Sequence, residues 1–145
     1  MGIVGETNPG FIDGVMSNNN TKTRISNLTD GTTNVMLMYE LAGRNDLWRA
    51  GKLITANTGT IGGGWADINN AENWMAGSSY DGTITEGPCF VNCTNEGGVG
   101  IYSFHSGMAN ILLGDGSVRG LSANVSREVV IKLVSFDGGG VLGEF

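Results

Sequence analysis

The side chains that could perform catalysis in this chain begin with its only histidine, His105, which is followed after nine residues by Asp115. A histidine with a carboxylate partner is the pair used in general-base and nucleophilic catalysis. The strand pattern argues against such a pair, because His105 closes one predicted strand and Asp115 closes the next, at the opposite edge of the sheet. Four or five residues at ~3.4 Å each would separate the two side chains by ~15 Å, whereas a hydrogen bond needs ~3 Å. We therefore expect no catalytic pair and expect His105 to cap a turn, while a hydrolase that uses His105 in another way stays an alternative.

The two cysteines, Cys89 and Cys93, are separated by three residues. A tight turn can bring their Cα atoms within the ~4.4–6.8 Å that a disulfide requires. We predict that they form a disulfide if the protein is exported, because such bonds persist outside the cytoplasm. A redox C-x-x-C motif has two intervening residues rather than three. A tetrahedral zinc site would need two more ligands, for which His105 is one candidate, so we predict no metal site here.

Oxygen-bearing side chains in the loops raise calcium as a cofactor. Asp67, Asn69, Asn70 and Asp81 are residue types that supply the oxygen ligands of Ca²⁺. Their spacing is not that of an EF-hand, and turn preferences explain the same residues without a metal. The sequence therefore leaves calcium open and commits to no cofactor.

Aromatic side chains in the loop-rich region 42–100 are candidates for ligand binding. Long loop regions in compact domains are often functional. The tryptophans could stack on a ligand, or they could anchor the long loops onto a core that is short of large apolar side chains. A module that binds a carbohydrate or another small solute is therefore an alternative function. Its candidate residues are Trp48, Trp65, Trp74 and Tyr80.

Charge and composition exclude several classes of partner. The chain has 8 Lys and Arg against 14 Asp and Glu, a net charge of −6. The few basic residues are scattered, so we expect no nucleic-acid partner and no binding to an anionic membrane surface. No apolar run reaches the ~18 residues of a membrane span, and the first ten residues carry no export signal.

Local patterns predict a β-rich domain. With 25 glycines among 145 residues, the composition favours strands and turns over a helical bundle. An irregular segment, 1–22, precedes a single domain, 23–145. The run Val35–Tyr39 is almost wholly apolar and flanked by turns, which predicts a central strand covered on both faces. A buried helical turn stays an alternative, because methionine and leucine slightly favour helix. A three-stranded antiparallel meander is predicted from residues 101–104, 111–113 and 118–121.

The turn and the helix of the C-terminal part have the clearest local signals. Asp115-Gly116 predicts a two-residue hairpin turn, since both positions can take a positive φ. Ser126 predicts the N-cap of a helix, in which every third or fourth residue is apolar. Gly138-Gly139-Gly140 would stop that helix. We expect the tail 141–145 to be loosely held.

Several stretches together resemble the DUF1559 family, also described as prepilin-type, processing-associated H-x9-D-G proteins and labelled a bacterial solute-binding family. The stretches are 25–34 (ISNLTDGTTN), 40–44 (ELAGR), 87–95 (GPCFVNCTN), 102–107 (YSFHSG) and 113–119 (LGDGSVR). The resemblance extends over about residues 24–140, and the combination of these stretches is far more specific than any one of them. The residues that match the family motif are Asp30, Gly31, Thr32, Asn34, Glu40, His105, Asp115 and Gly116.

The resemblance implies the fold and role of a pseudopilin or minor pilin. The expected fold is α+β and β-rich, with an antiparallel sheet, long loops and a short C-terminal helix. The family's N-terminal pilin helix, which a prepilin peptidase processes, is absent here, so we expect the C-terminal portion of a longer product or a short paralogue. Membrane contact would occur only through that helix. The implied function is a non-enzymatic extracytoplasmic head domain with a structural or assembly role, and its expected partners are pilin-like subunits or copies of itself.

Overall fold

Five strands and one helix make up the regular structure of the described residues. The computed structural model describes residues 14–16, 22–56, 62–64, 75–97, 99–136, 138–139, 142 and 145. After a 3-10 turn, Ile25–Asn27, the elements are β1 (Met36–Tyr39), β2 (Leu47–Arg49), β3 (Lys52–Thr55), β4 (Met108–Leu113), β5 (Val118–Ser122) and α1 (Arg127–Val134). All strand pairs between these elements are antiparallel. The fold is therefore α+β and mostly strands and loops, as predicted.

The main sheet has the order β1-β4-β5, so β4 is its central strand. The prediction of a central strand at 35–39 is wrong, because β1 lies at the edge. Met36 and Tyr39 are buried, but Met38 is 46% exposed on the outer face. An unbranched methionine side chain tolerates this exposure. The run of apolar residues therefore predicted burial on both faces of the strand, although only one face is covered.

The first strand of the predicted meander is also wrong. Ile101 and Tyr102 form only isolated parallel bridges, with Val91 and Leu41 respectively. The place beside β4 is taken by β1, which comes from a distant part of the chain. The β4–β5 hairpin, by contrast, is confirmed.

Helix α1 covers the inner face of the main sheet and begins where the sequence predicts. The Ser126 hydroxyl accepts a hydrogen bond from the backbone N–H of Val129 at 3.4 Å, which satisfies one of the free donors of the first turn. The helix lies next to β1, and its buried side chains belong to the same core cluster as the inward residues of β1, β4 and β5. These helical side chains are Val130, Leu133 and Val134.

The chain beyond α1 is held more firmly than the sequence suggests. The helix ends at Val134, ahead of the glycines. The backbone N–H groups of Gly138 and Gly139 donate to the Asp30 carboxylate at 3.0 and 2.8 Å. Phe145 packs against the core, and the Arg119 guanidinium lies 5.9 Å from the centre of its ring. These contacts overturn the expectation of a loosely held tail for its described residues.

A second, two-stranded sheet is formed by β2 and β3. Ala50 and Gly51 connect the two strands with φ values of +45° and +77°, the positive values of a two-residue hairpin turn. Local sequence signals do not predict this hairpin, because alanine gives no indication of a positive φ. Among the described residues, no helix has the length and apolar character needed to cross a membrane.

The β4–β5 turn has three residues rather than the predicted two. Leu113 N donates to Ser117 O at 2.9 Å, which closes a loop of Gly114, Asp115 and Gly116. Only Gly116 takes a positive φ, +85°. Three-residue hairpins place such a residue at their last position, so an Asp-Gly pair fits this turn as well as the shorter one.

Gly116→Val should lower the free energy of unfolding by at least ~1 kcal/mol, because a β-branched residue resists a positive φ. A Cβ at this position would meet no atom within 4 Å, so the loss would come from backbone strain. Gly97→Val is the matched control, since its Cβ would also lie in open space and its φ is outside the left-handed region. We expect the control to stay within ~0.5 kcal/mol of the parent in urea unfolding. Equal stability of both variants would contradict this turn geometry.

Candidate functional site

Glu40, His105 and Asn110 form a polar cluster at one end of the main sheet. Asn110 lies in β4, and its backbone N–H and side-chain amide donate to Glu40 Oε2 and Oε1 at 2.8 and 2.9 Å. His105 Nε2 lies 3.3 Å from Glu40 Oε1 and 3.3 Å from Asn110 Nδ2. The partner of the single histidine is therefore Glu40 and not Asp115.

At Glu40, directly after β1, the backbone stops pairing with β4. Its backbone N–H still donates to Asn110 O at 3.1 Å, but its carbonyl accepts from the N–H of Tyr102, also at 3.1 Å. The N–H of Asn110 is thereby left without the backbone acceptor that a continued ladder would supply, and the Glu40 carboxylate takes that place. A buried N–H without a partner destabilises the fold. The Glu40 carboxylate therefore supplies the last hydrogen bond at this end of the β1–β4 pairing.

The electrostatics of the cluster favour an ionised Glu40. Partial burial acts to raise the pKa of this carboxyl, but the hydrogen bonds from Asn110 and the nearby His105 outweigh it and hold the pKa below the ordinary 4.5. Hydrogen bonds that favour the charged form have this effect. The cluster is therefore a fixed carboxylate beside a partly exposed imidazole.

The loop that carries His105, residues 103–107, is fastened by the disulfide segment. Cys89 and Cys93 form the predicted disulfide, with Cα atoms 6.3 Å apart. Between them, Asn92 has a φ of +62°. Its side chain accepts from Ser103 N at 2.7 Å and donates to the carbonyls of Met108 and His105 at 2.9 and 3.2 Å. One amide thus fixes both ends of the His105 loop.

A second asparagine, Asn95, fixes the loop between β1 and β2. It is fully buried, and its side chain accepts from Trp48 N at 2.9 Å. The same amide donates to the carbonyls of Ala42 and Asp46 at 3.2 and 2.9 Å. These bonds hold Trp48 beside the His105 loop.

Phe104 forms a ridge between two grooves. The ring is 60% exposed and makes edge contacts with Trp48 and Tyr102 at centroid distances of 4.9 and 5.8 Å. One groove, about 390 Å³, has Glu40, Leu41 and Ala42 on its far side. The other, about 400 Å³, has Ala50, Gly51, Asn92, Tyr102, Gly107 and Ala123. Ser103, Phe104 and His105 line both grooves.

The remaining motif residues meet at the opposite end of the sheet. Asp115 N donates to Thr32 O at 3.0 Å, and Gly114 N donates to Val35 O at 2.9 Å. The Asn34 side chain donates to Asp30 O at 2.9 Å, and Gly31 has a φ of +93°. His105 and Asp115 are thus separated by the length of β4, and the motif residues around Asp115 serve turns and chain contacts.

The carboxylate of Asp115 is occupied within its own turn. It accepts from the backbone N–H and the hydroxyl of Ser117 at 2.9 and 2.7 Å. These hydrogen bonds lower the pKa of Asp115. The expectation that Asp115 acts as a turn residue is consistent with this geometry.

Of the other predicted ligand-binding and calcium residues, the structure describes Trp48, Tyr80 and Asp81. Trp48 supports the Phe104 ridge, whereas Tyr80 lies 70% exposed in a separate loop. Trp65, Trp74, Asp67, Asn69 and Asn70 lie outside the described residues. The Asp81 carboxyl is held by Ser79 and Thr83, whose hydrogen bonds lower its pKa to about 2. Within the described part of the chain, no three His, Cys, Asp or Glu residues are grouped as metal ligands.

Sequence reasoning named Glu40 and His105 separately and did not pair them. It also missed Asn92, Asn95, Phe104 and Asn110. The only available signal was that these residues lie in or beside the recognised motifs. Their contacts join positions far apart in the chain, such as the 70-residue separation between Glu40 and Asn110, which local patterns do not encode.

Comparison with known proteins identifies one family. A family model described as "Protein of unknown function (DUF1559)", with the short name SBP_bac_10, matches residues 5–128. No curated protein and no solved structure matches the chain.

Asn92→Ala should destabilise the protein by roughly 2 kcal/mol or more, at ~1 kcal/mol for each hydrogen bond lost. The amide of Ser103 should also exchange faster with deuterium, since Asn92 Oδ1 is its acceptor. Asn124→Ala is the matched control, because Asn124 is exposed in the turn after β5. Urea unfolding and hydrogen exchange measure both effects. Unchanged protection of Ser103 would contradict the role of Asn92.

Glu40→Gln should reduce stability most at neutral pH. A carboxyl whose pKa is lowered on folding stabilises the folded state above its unfolded pKa, and this stabilisation disappears as pH falls through the folded pKa. The stability difference between the parent and Glu40→Gln should therefore be constant near pH 7 and shrink below pH 4.5, the ordinary glutamate value. Urea unfolding at several pH values measures it. A difference that stays the same down to strongly acidic pH would exclude this linkage.

Proposed function

This chain belongs to the DUF1559 family, and we propose that it serves as the extracytoplasmic head domain of a pilin-like protein. The role is structural or concerns assembly, in the manner of a type IV pilin or a type II secretion pseudopilin. The partners are other pilin-like subunits or further copies of the chain. The domain acts without catalysis.

The use of the motif residues supports a structural role. At one end of β4, the Glu40 carboxylate joins the end of β1 to Asn110. At the other end, the backbone of Asp115 joins the start of β1 through Thr32. These family-motif residues therefore hold β1 against β4, and their role is to stabilise the fold.

The hydrogen bonds of Ser103 support a role without hydrolysis. Two serines lie beside His105 along the chain, Ser106 directly after it and Ser103 two residues before it. The Ser103 hydroxyl donates to Met108 O at 2.7 Å and accepts from His105 N at 3.2 Å. A serine nucleophile has to give its proton to a general base such as the imidazole. The Ser103 hydroxyl instead donates its hydrogen bond to a backbone carbonyl.

The disulfide supports a location outside the cytoplasm. Cys89–Cys93 closes a loop of five residues, and disulfides persist in oxidising compartments. The disulfide also frames Asn92, which orders the His105 loop. An oxidising location would therefore keep this end of the domain intact.

The outer face of the main sheet offers a surface for subunit packing. Met38, Leu112 and Val118 stand in register across the three strands. Val118 is 65% exposed and Met38 is 46% exposed, whereas the opposite face is covered by α1. Leu112 between them is partly buried. A row of exposed and partly exposed apolar residues on an uncovered sheet face is suited to contact with another protein.

The location and assembly state can be tested on the full-length native protein in its source cells. We expect the protein in the sheared surface or envelope fraction, with Cys89 and Cys93 resistant to alkylation until a reductant is added. Mass spectrometry of its mature N-terminus should find a methylated apolar helix ahead of this domain. Recovery of the protein in the cytosol with free thiols would overturn the proposal.

The packing surface can be tested by Val118→Lys in the same cells. The variant should reduce the protein in the assembled fraction by at least about tenfold, as expected when an interface loses ~1.4 kcal/mol, while the total amount is unchanged. Leu53→Lys is the matched control, because Leu53 is 49% exposed on strand β3 of the other sheet. Equal assembly of the two variants would exclude this face.

Ligand binding is the second candidate function, since the exposed Phe104 ring stands between two grooves. A hydrolase that uses His105 is a third, and full retention of any hydrolytic activity in His105→Ala would exclude it.

A further inference from the structure

The exposure of Phe104 calls for an explanation beyond the stability of the fold. A phenylalanine ring that is 60% exposed forgoes the gain of burying a large apolar side chain. The ring is nevertheless fixed in place. It contacts Trp48 and Tyr102, and a Cβ added at Gly43 would lie 2.9 Å from Phe104 Cζ. A rigid, exposed aromatic surface is what a stacking ligand requires.

The polar groups beside the ring are also fixed and partly exposed. The side chains of His105 and Glu40 are 54% and 33% exposed, and Asn110 holds the Glu40 carboxylate from two sides. An ionised carboxylate accepts hydrogen bonds, and an imidazole can donate or accept. Flat polar groups therefore border one side of an apolar ring.

The charge of the site selects among ligands. Neither groove has a lysine or arginine among its described lining residues, and Glu40 is ionised at neutral pH. An anionic ligand would meet uncompensated repulsion. A wholly apolar ligand would cover the exposed parts of the carboxylate and the imidazole without replacing their hydrogen bonds to water. A neutral ligand with one apolar face and a rim of hydroxyl groups fits both conditions.

We propose that the Phe104 ridge binds a neutral oligosaccharide. One pyranose ring stacks its C–H face on Phe104, and its hydroxyl groups exchange hydrogen bonds with Glu40 and His105. The neighbouring sugar units extend into the groove beside Asn92 and Gly107. This binding is additional to the proposed structural role and does not depend on assembly.

Isothermal titration calorimetry of the 145-residue chain with neutral hexasaccharides tests the proposal. The probes are the β-1,4-linked hexamers of glucose, xylose, mannose and N-acetylglucosamine, with hexagalacturonate as the anionic comparison. Probes at up to about 5 mM would detect a Kd of about 1 mM. We expect at least one neutral hexamer to bind and hexagalacturonate to bind more weakly. Absence of binding by all four neutral probes, or preference for the anionic one, would overturn the proposal.

Variants locate the binding surface. Phe104→Ala should weaken binding of the best probe by at least about tenfold, since the variant removes the flat aromatic face on which the sugar ring stacks. Phe104→Leu keeps an apolar side chain without a flat face and should also lose binding, whereas Phe104→Trp should retain or tighten it. Tyr80→Ala is the matched control, since Tyr80 is an exposed aromatic residue in another loop.

The pattern across these variants decides the outcome. Loss of binding in Phe104→Leu with retention in Phe104→Trp would support stacking, and the two changes are small enough to keep the loop folded. Circular dichroism verifies folding of each variant. Retained affinity in Phe104→Leu, or equal losses in Phe104→Leu and Tyr80→Ala, would overturn the assignment to this ridge.

Discussion

The attachment of β1 to β4 is the constraint on which the rest of the structure depends. β1 has only four residues and lies at the edge of its sheet, and a strand pairing of that length contributes little stability by itself. Contacts outside the strand extend the pairing at both ends. Asp115 and Gly114 hold the segment before β1, and the Glu40 carboxylate holds the residue after it to Asn110. The nine residues between His105 and Asp115 therefore contain β4, the strand at whose two ends these contacts are made.

Asparagine side chains hold separate loop segments together, a role that apolar side chains have in a larger core. The side chains of Asn92 and Asn95 each form hydrogen bonds with three backbone groups from other segments. A side-chain amide both donates and accepts, and its short arm loses little entropy when it is fixed. Asn92 also takes a left-handed conformation, which asparagine tolerates better than most residues. In the described loops, hydrogen bonds from these two asparagine side chains thus fix segments that come from distant parts of the chain.

Local signals predicted the parts of the fold that are local. Ser126 and the apolar stripe after it located α1, the Asp-Gly pair located the β4–β5 turn, and the cysteine spacing gave the disulfide. The errors arose where distant segments compete. Residues 101–104 have the composition of a strand, but β1 occupies the position beside β4. The pairing of Glu40 with His105 was not predicted for the same reason. It depends on a contact between distant segments of the chain, and local sequence patterns carry no information about such contacts.

The same hydrogen bonds connect the stability of the sheet to the exposure of Phe104. Asn92 fixes Ser103 on one side of the ring and the His105 carbonyl on the other, so Phe104 has little freedom to withdraw into the core. The Glu40 side chain next to it is already ordered, because its hydrogen bonds to Asn110 end the pairing of β1 with β4. A ligand that binds there meets groups whose conformational entropy was lost on folding, and such preorganisation favours binding. The arrangement that closes the sheet therefore also presents an ordered surface beside it, so a structural role and a binding role are compatible in one small domain.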